Sequence, residues 1–285
     1  MADQTTRDVR WRALSRAEIT AARDEGALVV VPTGSIEQHA DHLPVETDTV
    51  LATAVAERAA RRVPSPRVLV APTVAQGLSP HHLSWPGTVS LRLSTYLAVL
   101  SDVAQSILGT GFPRVLFVNG HGGNIAPLRA LCTEMVTDGH PVGMVNYFDP
   151  GMAVSGPLLK GARKGLGHAC EFETAMMMAL AAEDASTALR APSEGLPQRT
   201  MQPWIPPGHP SDPISEAGAG WPPIFQADDC GYSGDPGVAT LETGQDVLEA
   251  TVAHLAAFFT RFAATPLRVG IAPDPDVPRI SPPLV

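Results

Sequence analysis

The chain has 285 residues, 44% of them apolar and 17% charged, so it can bury a sizeable core and is not a disordered segment. Its formal net charge of −9 excludes the basic face that a nucleic-acid backbone calls for. Cys132, Cys170 and Cys230 are far apart and odd in number, which excludes a disulfide framework and a paired CxxC zinc site and fits a reduced, cytoplasmic setting. The N-terminal stretch MADQTTRDVRW carries no apolar signal region, and no run of about eighteen apolar residues occurs, so no membrane partner is expected.

Taken in chain order, the pattern alternates strands and helices. Residues 27–32 (ALVVVP) read as a buried strand, followed by a loop with Glu37 and His39. Thr47 then reads as the cap of a helix over 48–62. A strand at 68–71, the loop GLSPHHLSWPGT and a helix over 93–109 come next. A strand at 115–118 leads through NGHGGN into a helix over 124–138, and a further strand covers 141–147. After GHACE a helix spans 171–183, and a final amphipathic helix spans about 243–263. Residues 186–238 are dense in Pro, Gly and Ser and read as a loop insertion within a single domain covering 1–285. The alternation predicts an α/β fold with a mainly parallel sheet covered on both faces.

The chemistry gathers at strand ends. Glu37 and His39 follow the first strand at the sheet edge where ligands bind in open α/β folds. Asp48 falls at a helix N-terminus, which favours the ionised carboxylate that a metal needs. His121 follows the strand VLFV in a turn whose glycines (Gly120, Gly122, Gly123) let the backbone approach a ligand. His168 and Glu171 are three apart and would share one helical face, with Glu173 pointing elsewhere as a supporting partner. A lone Glu-x-His pair is usually a surface feature, and NGHGGN alone could be a tight turn or a phosphate loop. Three His/carboxylate clusters after three sheet edges instead predict a binuclear metal centre, the kind of site that makes hydroxide from water near neutral pH. Ser79, His82 and Trp85 are expected to wall the pocket, His81 and His42 to be solvated or structural, and Met176–Met178 to be helix core.

Five stretches carry a resemblance to the creatininase family of metal-dependent amidohydrolases: VPTGSIEQHADHLPVETDT (31–49), GLSPHHLSWPGTVSL (77–91), GFPRVLFVNGHGGN (111–124), GHACEFETA (167–175) and SGDPGVATLETGQ (233–245). The resemblance implies a three-layer α/β/α fold, homo-oligomers that are often hexamers, and two divalent ions, zinc or manganese with iron in some members. It implies that Glu37, Asp48 and His121 hold one ion, and that His39, the bridging Asp48 and a further glutamate hold the other. Creatinine hydrolysers keep a glutamate where this chain has Gly123, so Glu171 is expected to substitute as ligand and catalytic residue, with Cys170 in place of the usual glycine before it. His168 is the expected proton carrier. Gly122 and Tyr147 would line the substrate pocket where creatinine hydrolysers use bulkier residues, so creatinine is not the expected substrate. The implied function is hydrolysis of a small polar amide, cyclic amides included. Alternatives are trimming of a precursor peptide in cofactor maturation, deformylation of a formamide, hydrolysis of a cyclic keto-sugar, or a scaffold that has lost its chemistry.

Overall fold

The computed structural model describes residues 8–148, 154–162, 164–199 and 230–271. Strands β1 (Leu28–Thr33), β2 (Val68–Val70), β3 (Val115–Asn119) and β4 (Val142–Asn146) form one sheet in the order β2-β1-β3-β4, parallel at every pairing. Helices α1 (Arg16–Asp24), α2 (Thr47–Arg61), α3 (Leu93–Gly109), α4 (Ile125–Thr137), α5 (Glu171–Ala181) and α6 (Leu241–Ala264) cover it.

Strand residues alternate between two cores because successive side chains point to opposite faces. Leu28, Val30, Leu116 and Val118 join Leu51, Val55, Met176, Met177, Val247 and Phe259 on the face of α2, α5 and α6. Val29, Val31, Val115 and Phe117 join Ala22, Tyr96, Leu100, Leu128 and Leu131 on the face of α1, α3 and α4. The result is the three-layer arrangement expected. Met176 and Met177 are core, as the sequence reading has them.

The topology creates the site. β1 and β3 are neighbours, but the chain leaves β1 through α2 toward β2 and leaves β3 through α4 toward β4, on opposite faces and in opposite directions. Helices therefore diverge above the carboxyl ends of β1 and β3 and leave a crevice there. The two strands end in register at Thr33 and Asn119, so the loops carrying Glu37 and His121 start side by side.

Two details differ from the sequence reading. Thr47 is the first residue of α2 rather than its cap; its hydroxyl donates to the Pro44 carbonyl at 2.6 Å. Asp48 nonetheless lies in the first turn, near the positive end of the helix dipole. The long irregular stretch is only partly described, with 200–229 outside the described residues. Its far end returns to the sheet edge, where Ser233 bridges His168 and the Tyr232 hydroxyl donates to the Pro197 carbonyl.

By length and composition alone, α6 is long and apolar enough to cross a bilayer. Its buried residues (Thr243, Gly244, Val247, Leu248, Thr251, Val252, Leu255, Ala256, Phe259) nevertheless recur at helical spacing along one face that packs into the core. Gly244 is where α6 meets α5 most closely: a Cβ there would sit on the Ala175 carbonyl oxygen.

Candidate metal centre

The crevice holds Glu37, His39, Asp48 and His121 with their functional atoms together and all four side chains buried. Asp48 is in the middle. Its Oδ1 lies 3.2 Å from His39 Nε2, and its Oδ2 lies 3.0 Å from His121 Nδ1. Glu37 Oε2 is 3.2 Å from the same His121 nitrogen. Each imidazole is aimed from behind. His39 Nδ1 faces the Glu37 backbone carbonyl at 3.1 Å, and His121 Nε2 faces the Leu78 carbonyl at 3.2 Å. A carbonyl can only accept, so those nitrogens carry the protons in the neutral rings, and the other nitrogens present lone pairs toward Asp48.

That arrangement can be tested for fit to a cation. His39 Nε2 and Asp48 Oδ2 are fully buried, close to oppositely charged groups, and without a hydrogen bond of acceptable geometry. Buried polar atoms nearly always make a hydrogen bond, and these two sit against charged neighbours without one, as ligand atoms around an ion do. Protons partly take the cation's place in the metal-free chain. Burial opposes charging of His39, but Asp48 beside it raises its pKa to about 9; His121 is raised well above the usual histidine range, burial again being outweighed by Glu37. Burial would raise Glu37, yet His121 and His82 hold its carboxyl well below the ordinary range. A divalent ion would displace those protons and satisfy the same carboxylates.

The residues expected to wall the pocket lie closer to the ligand set than the sequence reading places them. The Ser79 hydroxyl donates to Glu37 Oε2 at 2.6 Å and lies 2.5 Å from the Ser35 hydroxyl. His82 Nε2 is 3.3 Å from Glu37 Oε1, and its Nδ1 is 3.1 Å from the Gln38 amide nitrogen. Both therefore orient Glu37, with Gln38 as a further support. Trp85 sits in a turn, its N–H donating to the His82 carbonyl, and is half-buried. Gly122 is exposed, and a side chain there would enter open space. Tyr147 is buried beneath the site against Phe148 and Phe172.

His168 does not share a helical turn with Glu171, because α5 begins at Glu171, Cys170 before it is extended and Ala169 is left-handed with a φ of 46°. The His168 ring packs against His39 and His82, both at 4.5 Å between centroids. Its Nε2 donates to the Gln38 carbonyl at 2.7 Å, which turns Nδ1 toward Glu37 Oε1, 3.7 Å away. Burial, reinforced by His39 and His82, holds its pKa well below the usual range, so the ring is neutral.

Glu171 does not take the position expected of it. Both Glu171 oxygens accept backbone N–H groups, from Lys160 at 2.7 Å and Gly161 at 2.8 Å. Glu173 is buried and accepts the Cys170 N–H at 3.1 Å; burial raises its pKa to about 7, His39 lowers it and Asp48 raises it. Positions two apart on a helix differ by about 200°, and the helix start decides which of them points inward. His81, expected to be solvated or structural, also belongs to the site, with a ligand atom within 4.8 Å of those of Glu37 and His121. Nothing short of the fold of the 77–91 loop marks it out.

His42 is the structural histidine of this region. It is buried, with Nε2 3.0 Å from the Thr174 hydroxyl, and burial, then His39, lower its pKa to about 4. Between about pH 6.5 and that value the unfolded chain binds a proton that the folded chain does not, so stability falls as pH falls. The metal-free protein should lose about 2 kcal/mol from this group between pH 7 and 5. Urea midpoints at the two pH values should differ less in His42→Gln than in wild type; equal differences would remove His42 as the cause.

The comparisons agree with the fold. The creatininase family model, described as creatinine amidohydrolase, matches residues 12–259. A mycofactocin precursor peptide peptidase of Mycolicibacterium smegmatis is 29% identical over 223 residues, which is 77% of this chain and 79% of that protein. A creatinine amidohydrolase of Pseudomonas putida is 29% identical over 170 residues, covering 54% of this chain and 64% of that enzyme. A solved structure described as a creatininase with Mn superposes with a TM-score of 0.71 at 23% identity, covering 91% of this chain and 100% of that one.

Proposed function

The chain belongs to the creatininase family of hydrolases, and from that premise we propose that it is a metal-dependent amidohydrolase cleaving the C–N bond of a small polar amide. The observation that carries the reading is the position of Asp48 between His39 and His121, with buried ligand atoms that make no hydrogen bond of acceptable geometry among the described residues. Glu37, Asp48 and His121 would hold one divalent ion, and His39, Asp48 and Glu173 the other. Glu173 takes the place of Glu171 in that set because its buried carboxylate lies in the field of His39 and Asp48, whereas both Glu171 oxygens accept backbone N–H groups. Carboxylate and imidazole donors of this kind suit zinc and manganese. Two such ions, when bound, supply hydroxide at neutral pH by lowering the pKa of water and polarise a substrate carbonyl.

The chain's own groups do the rest. Ser79 and His82 hold the Glu37 carboxylate at both oxygens, so that ligand cannot swing away. The Glu37 and Leu78 carbonyls keep His39 and His121 in the required tautomers. His168, neutral and fixed through Gln38, receives a proton at Nδ1 and passes it to the departing nitrogen. His168→Ala should lower kcat by ~10²-fold or more while the metal content stays at the wild-type level. A loss of metal in step with activity would instead make His168 a ligand.

A peptide amide is the second reading, favoured by the similarity to the mycofactocin precursor peptide peptidase over most of the chain. Creatinine is disfavoured at Gly123, where even a Cβ would lie 2.3 Å from the Leu78 carbonyl and 2.5 Å from His121 Nε2. Metal-loaded protein assayed against lactams, formamides, short peptides and creatinine separates these readings. Turnover of lactams or formamides supports the first, and cleavage confined to peptides supports the second. No turnover of any amide, with metal bound, would sink both.

A further inference from the structure

The segment 77–82 packs onto the NGHGGN turn with no space between them. Gly77 and Gly123 have no room for a side chain: a Cβ at Gly77 would meet the Gly34 carbonyl at 2.6 Å, and one at Gly123 would meet the Leu78 carbonyl at 2.3 Å and His81 Cε1 at 3.0 Å. Asn124 locks the contact. Its Oδ1 accepts from the Leu78 N–H at 2.9 Å, while its Nδ2 donates to the Gly34 carbonyl at 3.0 Å. The Ser79 N–H donates to the Ser90 hydroxyl at 2.8 Å, and the His82 N–H closes a tight turn on the Ser79 carbonyl at 3.1 Å. His81 is therefore presented by a backbone anchored on both sides, as rigidly as the residues of the β1 and β3 loops.

Its ring lies parallel to that of His121, 5.7 Å between centroids and 4° between planes, and packs on His82 at 4.4 Å. Ligand atoms of Glu37, His81 and His121 all fall within 4.8 Å of one another. Glu37 and His121 are buried while His81 is partly exposed, so the imidazole closes the centre from its open side. We propose that His81 is a ligand of the divalent ion held by Glu37 and His121, a third imidazole contributed to the centre by the 77–91 loop. The proposal rests on the metal-centre reading above. It also makes that loop part of the coordination shell rather than only a wall, so a substrate pressing on the rim would be felt at the ion.

An added imidazole favours zinc over manganese, because nitrogen donors raise affinity along the first-row series more than oxygen donors do. The test measures zinc and manganese affinities by chelator competition for wild type, His81→Ala, His81→Gln and Glu37→Ala, with the visible spectrum of each cobalt-substituted protein. Both His81 variants should bind zinc at least ~10-fold more weakly, lose less affinity for manganese, and show a changed cobalt spectrum. Wild-type affinities and an unchanged spectrum in both would overturn the proposal. If Glu37→Ala is also unaffected, the metal-centre reading fails with it; if Glu37→Ala alone loses metal, only the role of His81 fails. Should neither His81 variant fold, zinc-edge X-ray absorption of the wild-type protein decides. An average of about 1.5 imidazoles per zinc supports the ligand, and about 1 overturns it.

Discussion

Asp48→Asn should reduce bound divalent metal from about two ions per chain to one or none, and lower kcat/KM by ~10³-fold or more, about 4 kcal/mol of transition-state stabilisation. The side chain keeps its shape, so the loss isolates charge and donor type. One oxygen becomes an NH2 group that presents hydrogens, and these would face either His39 Nε2 or His121 Nδ1, 3.2 and 3.0 Å away. Those two nitrogens belong to opposite sides of the proposed centre, so a change at one residue reaches both ions. Neighbouring Glu37 cannot compensate, because Ser79 and His82 already fix its two oxygens. Metal analysis after dialysis without chelator, alongside the activity assay, checks this. Two tightly held ions in Asp48→Asn would exclude a bridging carboxylate at this position.

The parts of this centre legible in the sequence are those that local rules determine. Runs such as VLFV followed by a Gly-rich turn announce a buried parallel strand and the loop at its carboxyl end, which brings Glu37, His39 and His121 to one edge. Where the reading failed, the deciding fact was tertiary or a matter of one residue in an element boundary. Helix α1 was there to be found, since Ser15-Arg16-Ala17-Glu18 is a capping-box pattern and forms one. His81 was not: a histidine pair in a proline-bearing loop has no periodicity, and only the packing of that loop on Gly123 turns one ring into the site. The glycines of NGHGGN were expected to admit a ligand. Gly120 and Gly123 instead admit protein, a Cβ at Gly120 meeting the Ala52 side chain and the Asp48 carbonyl at 2.8 Å, and Gly122 alone faces open space.

Glu171 and Glu173 give the sharpest contrast available from a pair of isosteric changes. Placing Glu171 in the centre required the helix to include His168; with α5 starting at Glu171, Cys170 is extended, Ala169 is left-handed, and that spacing carries no shared face. Glu171 is then the first helical residue. Its carboxylate ties the 160–161 backbone to the helix N-terminus by two short hydrogen bonds, a role in which the charge matters but metal does not. Glu173 uses one oxygen to accept the Cys170 N–H at 3.1 Å, closing a capping box, and lies in the field of His39, Asp48 and Glu37. A buried carboxylate whose pKa burial raises to about 7 is poorly stabilised by the chain alone, and a bound cation would hold it ionised. Glu173→Gln should therefore weaken binding of one ion by at least ~10²-fold and remove most activity, with little change in the stability of the metal-free protein. Glu171→Gln should keep metal affinity and cost about 1–3 kcal/mol in urea denaturation of the metal-free chain, through the weakened backbone contacts. The reverse pattern, metal lost in Glu171→Gln and retained in Glu173→Gln, would return the ligand role to Glu171 and require the start of α5 to rearrange when metal binds.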